Sequence, residues 1–150
     1  MDFRDLSFTN APLIKVTPPG PKSKDYLDYQ LLHESSSVSY PKGIPVALRR
    51  ARGATVEDVD GNIYIDFFAG AGVMAVGHSN PEVIEAVQRQ LVDLTHALDF
   101  PNPSRRALEE VLLRILPNGL TRLLFGGPTG SDAVEAAMKL ALSLIHISEP

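Results

Sequence analysis

The sequence has no cysteine, so a disulfide framework and a thiolate metal site are both excluded. Its four histidines, His33, His78, His96 and His146, have no helical spacing that would pair two ligands, and no metal site is predicted. Basic residues number 14 against 18 acidic ones. The resulting net charge of −4 offers no basic face to nucleic acid and no polybasic contact to a membrane surface.

Long apolar runs are missing as well. No stretch approaches the roughly 18 apolar residues that indicate a membrane-spanning helix, and residues 1–10 lack the apolar segment of a signal peptide. We therefore expect a soluble, cytoplasmic protein with neither nucleic acid nor a membrane as a partner. Hydrophobic residues make up 44% of the 150 positions, which is enough to form a core.

The first half of the chain changes character near Val46. Prolines at 12, 18, 19 and 21 predict an extended arm over residues 11–24, followed by a short helix over 24–34 and a loop over 35–40. The Asp60-Gly61 pair is a strong hairpin signal between two of three predicted strands. A small antiparallel meander is expected, with strands at 46–51, 55–59 and 63–68.

The second half predicts helices and the beginning of an α/β layer. Asn80-Pro81 and Asn102-Pro103 each place a capping residue before a proline at the first helical position. Apolar residues then recur with a period of 3.6 in both segments, which predicts apolar stripes packed on a core. A buried strand over 120–125 and a helix starting near Ser131 complete the pattern.

The turn from Gly126 to Asp132 joins that strand to that helix. Its glycines allow close approach of a ligand to the backbone, and the N–H groups at a helix start favour an anion. Thr129 and Ser131 add hydroxyl donors, so the turn has the chemistry of a phosphate site. Thr129 followed three residues later by Asp132 also fits a capping box, which would make the turn structural. An ATPase P-loop is excluded because the required lysine is missing.

A second glycine cluster, residues 70–77, follows the third predicted strand. Its glycines do not open a helix directly, which disfavours dinucleotide binding. A close-packed loop is the simpler interpretation, although its small residues would leave room for a substrate. Asp66 and His78 at its ends are interpreted as structural or capping residues. Lys139, four residues after Glu135, predicts a surface ion pair rather than a Schiff-base lysine.

Three blocks of the sequence resemble class III aminotransferases. Residues 56–66 are similar to the family's early hairpin, Gly70-Ala71-Gly72 with Gly77-His78 and Pro81 to the next segment, and residues 127–137 to its phosphate-binding turn and helix. The blocks occur in the family's order. Gly-Pro-Thr-Gly at 127–130 and Ser39-Tyr40-Pro41 most resemble diaminobutyrate–2-oxoglutarate aminotransferases within the family.

The resemblance implies a pyridoxal 5'-phosphate cofactor whose phosphate contacts Thr129, Gly130 and Ser131. It implies that Gly70, Ala71, Gly72 and Val73 line the substrate, and that the enzyme is a homodimer moving an amino group from an ω-amine donor to a 2-oxo acid. The family's Schiff-base lysine, the acidic partner of its cofactor ring and its stacking aromatic residue come later in the chain. No catalytic residue is therefore expected here, and the sequence is interpreted as an N-terminal fragment, inactive alone.

The implied fold class is α/β, the N-terminal part of the pyridoxal-phosphate-dependent transferase fold. The expected organisation is an N-terminal arm (1–45), a small-domain segment with the meander and two helices (46–119), the start of the large cofactor-binding domain (120–141) and a non-native tail (142–150). Without the resemblance, the same turn would also fit a non-enzymatic phosphate-binding module, or an interaction protein in which it only caps a helix.

Overall fold

A computed structural model describes residues 6–147 of the chain. It divides into two compact units, Met1–Thr95 and His96–Pro150. The first unit contains α1 (Pro21–His33), α2 (Tyr40–Gly43), β1 (Leu48–Arg52), β2 (Thr55–Asp58), β3 (Ile63–Ile65), α3 (Ala69–Gly72) and α4 (Pro81–Asp93). The second contains α5 (Pro103–Ile115) and α6 (Gly130–Ile147).

The predicted meander is confirmed as a three-stranded antiparallel sheet in the order β1-β2-β3. Arg50 lies opposite Glu57, and Val56 lies opposite Tyr64. The third strand ends at Ile65 rather than at residue 68 as predicted. It stops because the Asp66 carboxylate accepts hydrogen bonds from the N–H groups of Phe68 and Ala69, which turns the chain out of the sheet.

The centre of the first unit is unusually polar. The Asp58 side chain is fully buried and accepts hydrogen bonds from Asn62 and Tyr64 side chains and from backbone N–H groups. Among the residues whose burial is described, Ile63 is the buried large hydrophobic residue, and the other buried positions are Gly20, Ser23, Thr55, Glu57 and Asn62. Every buried side-chain polar atom described has a partner, so this polar core is satisfied.

The N-terminal arm is attached to the β2–β3 hairpin. Leu13 exchanges two backbone hydrogen bonds with Ile63, at 2.7 and 2.8 Å. The Asp60 carboxylate accepts from the N–H groups of Lys22 and Ser23 at the start of α1. That contact supplies the cap which the helix lacks locally, and α1 therefore begins at Pro21, three residues before the predicted start.

Both predicted asparagine caps are confirmed. Asn80 Oδ1 accepts from the N–H of Glu82 at 3.0 Å, and Asn102 Oδ1 accepts from that of Arg105 at 2.9 Å. The apolar stripes that follow are present but are not buried as predicted: Val87 and Leu91 of α4 remain 50% and 52% exposed. The residues that the structure describes cover these faces only in part.

The strand predicted over residues 120–125 is wrong for the described structure. The segment has no regular secondary structure, and Leu120 and Leu124 are exposed. A strand needs a neighbour for its backbone hydrogen bonds, and none of the described strands pairs with it. The helix after it starts at Gly130 and continues to Ile147. It thus includes part of the predicted non-native tail, while residues 148–150 lie outside the described residues.

Candidate functional site

The turn before α6 forms the predicted capping box. The Asp132 carboxylate accepts hydrogen bonds from the Thr129 N–H at 3.0 Å and from the Thr129 hydroxyl at 2.7 Å. The Asp132 N–H points back to Thr129 Oγ1 at 3.3 Å. Hydrogen bonds from the Thr129 hydroxyl and then from its N–H lower the pKa of the Asp132 carboxyl. Thr129 is therefore engaged in shaping the helix start.

Gly127 makes this capping box possible. A Cβ at residue 127 would lie 2.6 Å from Asp132 Oδ2 and 2.7 Å from its Cγ. Only glycine leaves the space in which the carboxylate reaches back to Thr129. This glycine therefore serves the local fold of the turn.

Gly130 and Ser131 retain free donors. Neither backbone N–H has an acceptor among residues 6–147, as expected for the first turn of a helix. Both residues are exposed, and a Cβ at Gly130 would meet nothing within 4 Å. Two unpaired N–H groups, the Ser131 hydroxyl and the positive end of the helix dipole can together hold a phosphate.

The second candidate segment, Gly70 to Val73, overlaps α3, whose residues form a left-handed turn rather than a right-handed helix. Ala69, Gly70, Ala71 and Gly72 all have positive φ, at 49°, 60°, 63° and 85°. Hydrogen bonds from the Gly72 N–H to the Phe68 carbonyl and from the Met74 N–H to the Ala69 carbonyl hold it together. Residues 70–73 are exposed at the surface of the first unit.

A cavity of about 850 Å³ lies beside this segment in the first unit. Its walls are mainly aromatic and aliphatic, and Asp66 and His78 are among its polar residues. Of the four residues predicted to line the substrate, Gly70 contributes to this wall, whereas Ala71, Gly72 and Val73 do not. The cavity also includes Tyr26, Tyr29, Tyr40, Tyr64, Phe67 and Phe68.

Asp66 and His78 form a pair at this cavity. Asp66 Oδ2 lies 2.6 Å from His78 Nε2. Burial alone raises the pKa of Asp66, but the hydrogen bonds from His78 and from the Ala69 and Phe68 N–H groups outweigh it, so the pKa is lowered overall. The sequence indicated two separate structural residues and missed the pair. A polar residue at each end of a glycine-rich loop was the available signal.

The ion pair predicted for Lys139 is confirmed, with its Nζ 2.6 Å from Glu135 Oε1. Among residues 6–143, whose side chains the structure describes, no cluster of three histidine, aspartate or glutamate residues could hold a metal ion. No helix in the same range is long and apolar enough to cross a membrane.

The family model of the class-III aminotransferases matches residues 37–149. The chain belongs to the class-III aminotransferase family. Its members depend on pyridoxal phosphate, as the resemblance implied. A solved structure of the ornithine aminotransferase from Toxoplasma gondii, described with partial occupancy of PLP at its active site, superposes with a TM-score of 0.67 at 31% identity, covering 79% of this chain and 27% of that one. The fold class is thereby confirmed.

Several curated relatives are named diaminobutyrate–2-oxoglutarate aminotransferases. The diaminobutyrate–2-oxoglutarate aminotransferase of Rhizobium meliloti is 46% identical over 121 residues, 77% of this chain and 26% of that protein. Its namesake from Haemophilus influenzae is 43% identical over 122 residues, 79% of this chain and 27% of that protein. An alanine/serine racemase of Pyrococcus horikoshii is 36% identical over 132 residues, 87% and 27% of the two chains. The chain spans about a quarter of the length of these relatives.

Proposed function

We propose that this chain is the part of a pyridoxal-phosphate-dependent transaminase that holds the phosphate end of the cofactor at the start of α6. The observation that carries the proposal is the pair of unpaired N–H groups at Gly130 and Ser131, two exposed residues at the start of α6 in a member of this family. The donors present fit a phosphate in number and in charge.

The three predicted contact residues have different roles in this proposal. Gly130 and Ser131 donate their N–H groups to phosphate oxygens, and the Ser131 hydroxyl adds a third donor. Thr129 is committed to Asp132 and orients the turn rather than supplying a free hydroxyl. When bound, the cofactor supplies the electron sink for amino-group transfer. The protein groups at this end bind and orient it.

We further propose that the chain is inactive by itself. The family's Schiff-base lysine is implied only later in the sequence, and Lys139 is held in an ion pair on the surface of α6. The apolar faces left exposed on α4 and α5 favour association with further protein. In this proposal the remainder of a longer, homodimeric and cytoplasmic enzyme covers them. Boundaries at residues 45, 119 and 141 separate the arm, the small-domain segment, the start of the large domain and a non-native tail.

The proposed substrates are a diaminobutyrate-like ω-amine donor and 2-oxoglutarate or another 2-oxo acid. The names of the Rhizobium meliloti and Haemophilus influenzae relatives support this choice. The alanine/serine racemase of Pyrococcus horikoshii is a relative whose name gives a different activity, so overall similarity does not select the substrate. Gly70 to Val73 are proposed to lie against that substrate in the complete enzyme.

Titration of the 150-residue chain with pyridoxal phosphate, followed by amide NMR, tests the phosphate site. We expect the Gly130 and Ser131 amides to shift, while the α5 amides of Arg105 and Arg106 stay in place as an internal control. Gly130→Pro removes one N–H at a position where a helix tolerates proline. Loss of one charged hydrogen bond should weaken binding by about tenfold.

The outcomes separate the rival functions. Equal affinity in the Gly130→Pro variant and the parent chain would mean that the turn only caps a helix. Equal affinity for inorganic phosphate and pyridoxal phosphate, with no transaminase activity in any longer product of the gene, would favour the non-enzymatic phosphate-binding module. A covalent lysine adduct of the cofactor in this chain would contradict the proposed absence of the catalytic lysine.

A further inference from the structure

Residues 66–78, here called the glycine loop, are attached at both ends to the connection between β1 and β2. The Asp66 N–H donates to the Ala54 carbonyl at 2.8 Å. His78 exchanges two backbone hydrogen bonds with Gly53, at 2.7 and 2.9 Å. The two ends of the loop are therefore held next to each other by adjacent residues of that connection.

The side chains of Asp66 and His78 close the base of this loop. His78 Nε2 donates to Asp66 Oδ2 at 2.6 Å, since an ionised carboxylate can only accept. Asp66 Oδ1 meanwhile accepts from the N–H groups of Phe68 and Ala69, at 2.8 and 2.9 Å. The side chains are only 10% and 21% exposed, so water competes weakly with these contacts.

The left-handed turn begins at Ala69, whose N–H donates to the Asp66 carboxylate. Ala69 is the first of its four residues with positive φ, and its N–H is one of the two that the carboxylate holds. The Phe68 ring packs edge-on against Tyr40 of α2, with centroids 5.1 Å apart, which fixes the entry to the turn from the other side. Two alanines in left-handed backbone cost about 1–2 kcal/mol each, so the turn needs such external contacts.

We propose that Asp66 and His78 form a clip that positions Gly70–Val73 toward the substrate of the transaminase. Asp66 sets the direction of the chain at the start of the turn, and His78 ties that carboxylate to the far end of the loop. Both residues act through the loop backbone and are positioning residues. Asp66, His78 and Gly70 line the same cavity, so a shift of the clip changes its wall. The proposal that the clip holds the loop depends only on the contacts described. The proposal that the loop affects substrate binding rests on the proposed function.

Hydrogen exchange of the 150-residue chain tests the clip. His78→Leu removes the donor, and we expect exchange at the Phe68, Ala69, Gly72 and Met74 amides to accelerate by about tenfold, the effect of losing one hydrogen bond to a charged group. The amides that join β2 and β3 should keep their protection. His78→Gln places an amide nitrogen at similar reach and should restore the loop. His96→Leu, at an exposed histidine of the other unit, is the matched control.

Unchanged loop exchange in His78→Leu overturns the clip. If exchange at the sheet amides also accelerates in His78→Leu, the result for His78→Gln decides whether the clip exists. Protection of both loop and sheet in His78→Gln supports the clip, and loss of loop protection there refutes it.

Kinetics of the complete transaminase separate this inference from the proposed function. His78→Leu should raise KM for the amino donor by about tenfold with kcat nearly unchanged, and His78→Gln should rescue KM. A loop that loosens in the exchange experiment without any change in KM leaves the clip standing and refutes the substrate-lining role. Loss of the phosphate site in the Gly130→Pro titration is a separate result, because residue 130 belongs to the other unit.

Discussion

Asp60 Oδ2 accepts a hydrogen bond from the backbone N–H of Ser23 at 2.8 Å, linking a hairpin turn to a helix start 37 residues earlier. Its other oxygen accepts from the Lys22 N–H at 2.9 Å. The sequence predicted Asp60 as half of a turn signal and the residues near 24 as a helix start. Because of this contact, Asp60 serves both the hairpin turn and the start of α1.

The α1 helix should consequently lose its anchor in acid. Burial raises the pKa of Asp60, but hydrogen bonds from Ser23 and then Lys22 outweigh it and lower the pKa overall. A depressed carboxyl pKa stabilises the fold above the unfolded value of about 3.9, and this contribution disappears as pH falls below it through the folded pKa. We expect α1 amide protection to fall in that range. Asp60→Ala should remove the pH dependence, and an unchanged acid profile in that variant would contradict the anchor.

Tyr64 provides a prediction at the opposite end of the pH scale. Burial, reinforced by the hydrogen bond to Asp58, raises the pKa of its phenol to about 12, although Asn62 acts in the other direction. An acid whose folded pKa exceeds its unfolded value of about 10 stabilises below that value and loses the contribution as pH rises through the folded pKa. Ultraviolet titration should show a phenolate step near pH 12. Tyr64→Phe should abolish it and cost about 1 kcal/mol of unfolding free energy at neutral pH.

Asn62 connects the arm to the buried carboxylate of Asp58. Its Oδ1 accepts from the N–H groups of Lys15 and Val16, and its Nδ2 donates to Asp58 Oδ2 at 2.8 Å. Asn62→Asp keeps the acceptor but places a second carboxylate against a fully buried one. We expect a loss of about 3 kcal/mol at neutral pH by urea denaturation.

The Asn62→Asp penalty should shrink as pH falls, because a protonated carboxyl can donate to Asp58 again. Asn118→Asp, at an exposed turn of the other unit, is the control and should change stability by less than about 0.5 kcal/mol. A penalty that is equal at neutral and acid pH would mean that charge repulsion is not its cause.

The features that the sequence predicted well depend on neighbours in the chain. Asn80 and Asn102 cap helices through N–H groups two or three positions away, and Lys139 pairs with a residue four positions away. The strand predicted over 120–125 depends instead on partner strands, and hydrophobicity alone does not supply them. The burial predicted for the α4 stripe fails for the same reason, since it needs a covering element.

The candidate site shows the same difference between features that depend on chain neighbours and features that depend on distant residues. The capping box of Thr129 and Asp132 was readable because its two residues lie three apart. In the structure the Thr129 hydroxyl donates to Asp132, so the free donors are those of Gly130 and Ser131. This depends on side-chain geometry and cannot be predicted from the spacing of the residues. The pairing of Asp66 with His78 spans 12 positions through a loop whose path depends on left-handed residues. Neither propensity nor periodicity describes such a path.

The left-handed turn predicts that replacing one of its alanines by glycine changes the stability of the protein. Ala71 has a φ of 63°, where a Cβ clashes with the following carbonyl at a cost of about 1–2 kcal/mol. Glycine avoids that cost but loses about 0.5–1 kcal/mol more backbone entropy on folding. Ala71→Gly should therefore raise the unfolding free energy by up to about 1.5 kcal/mol. Ala75→Gly, at a nearby alanine outside the positive-φ set, should lower it by the entropy term alone. If urea denaturation shows both variants destabilised equally, residues 69–72 do not form a left-handed turn in solution.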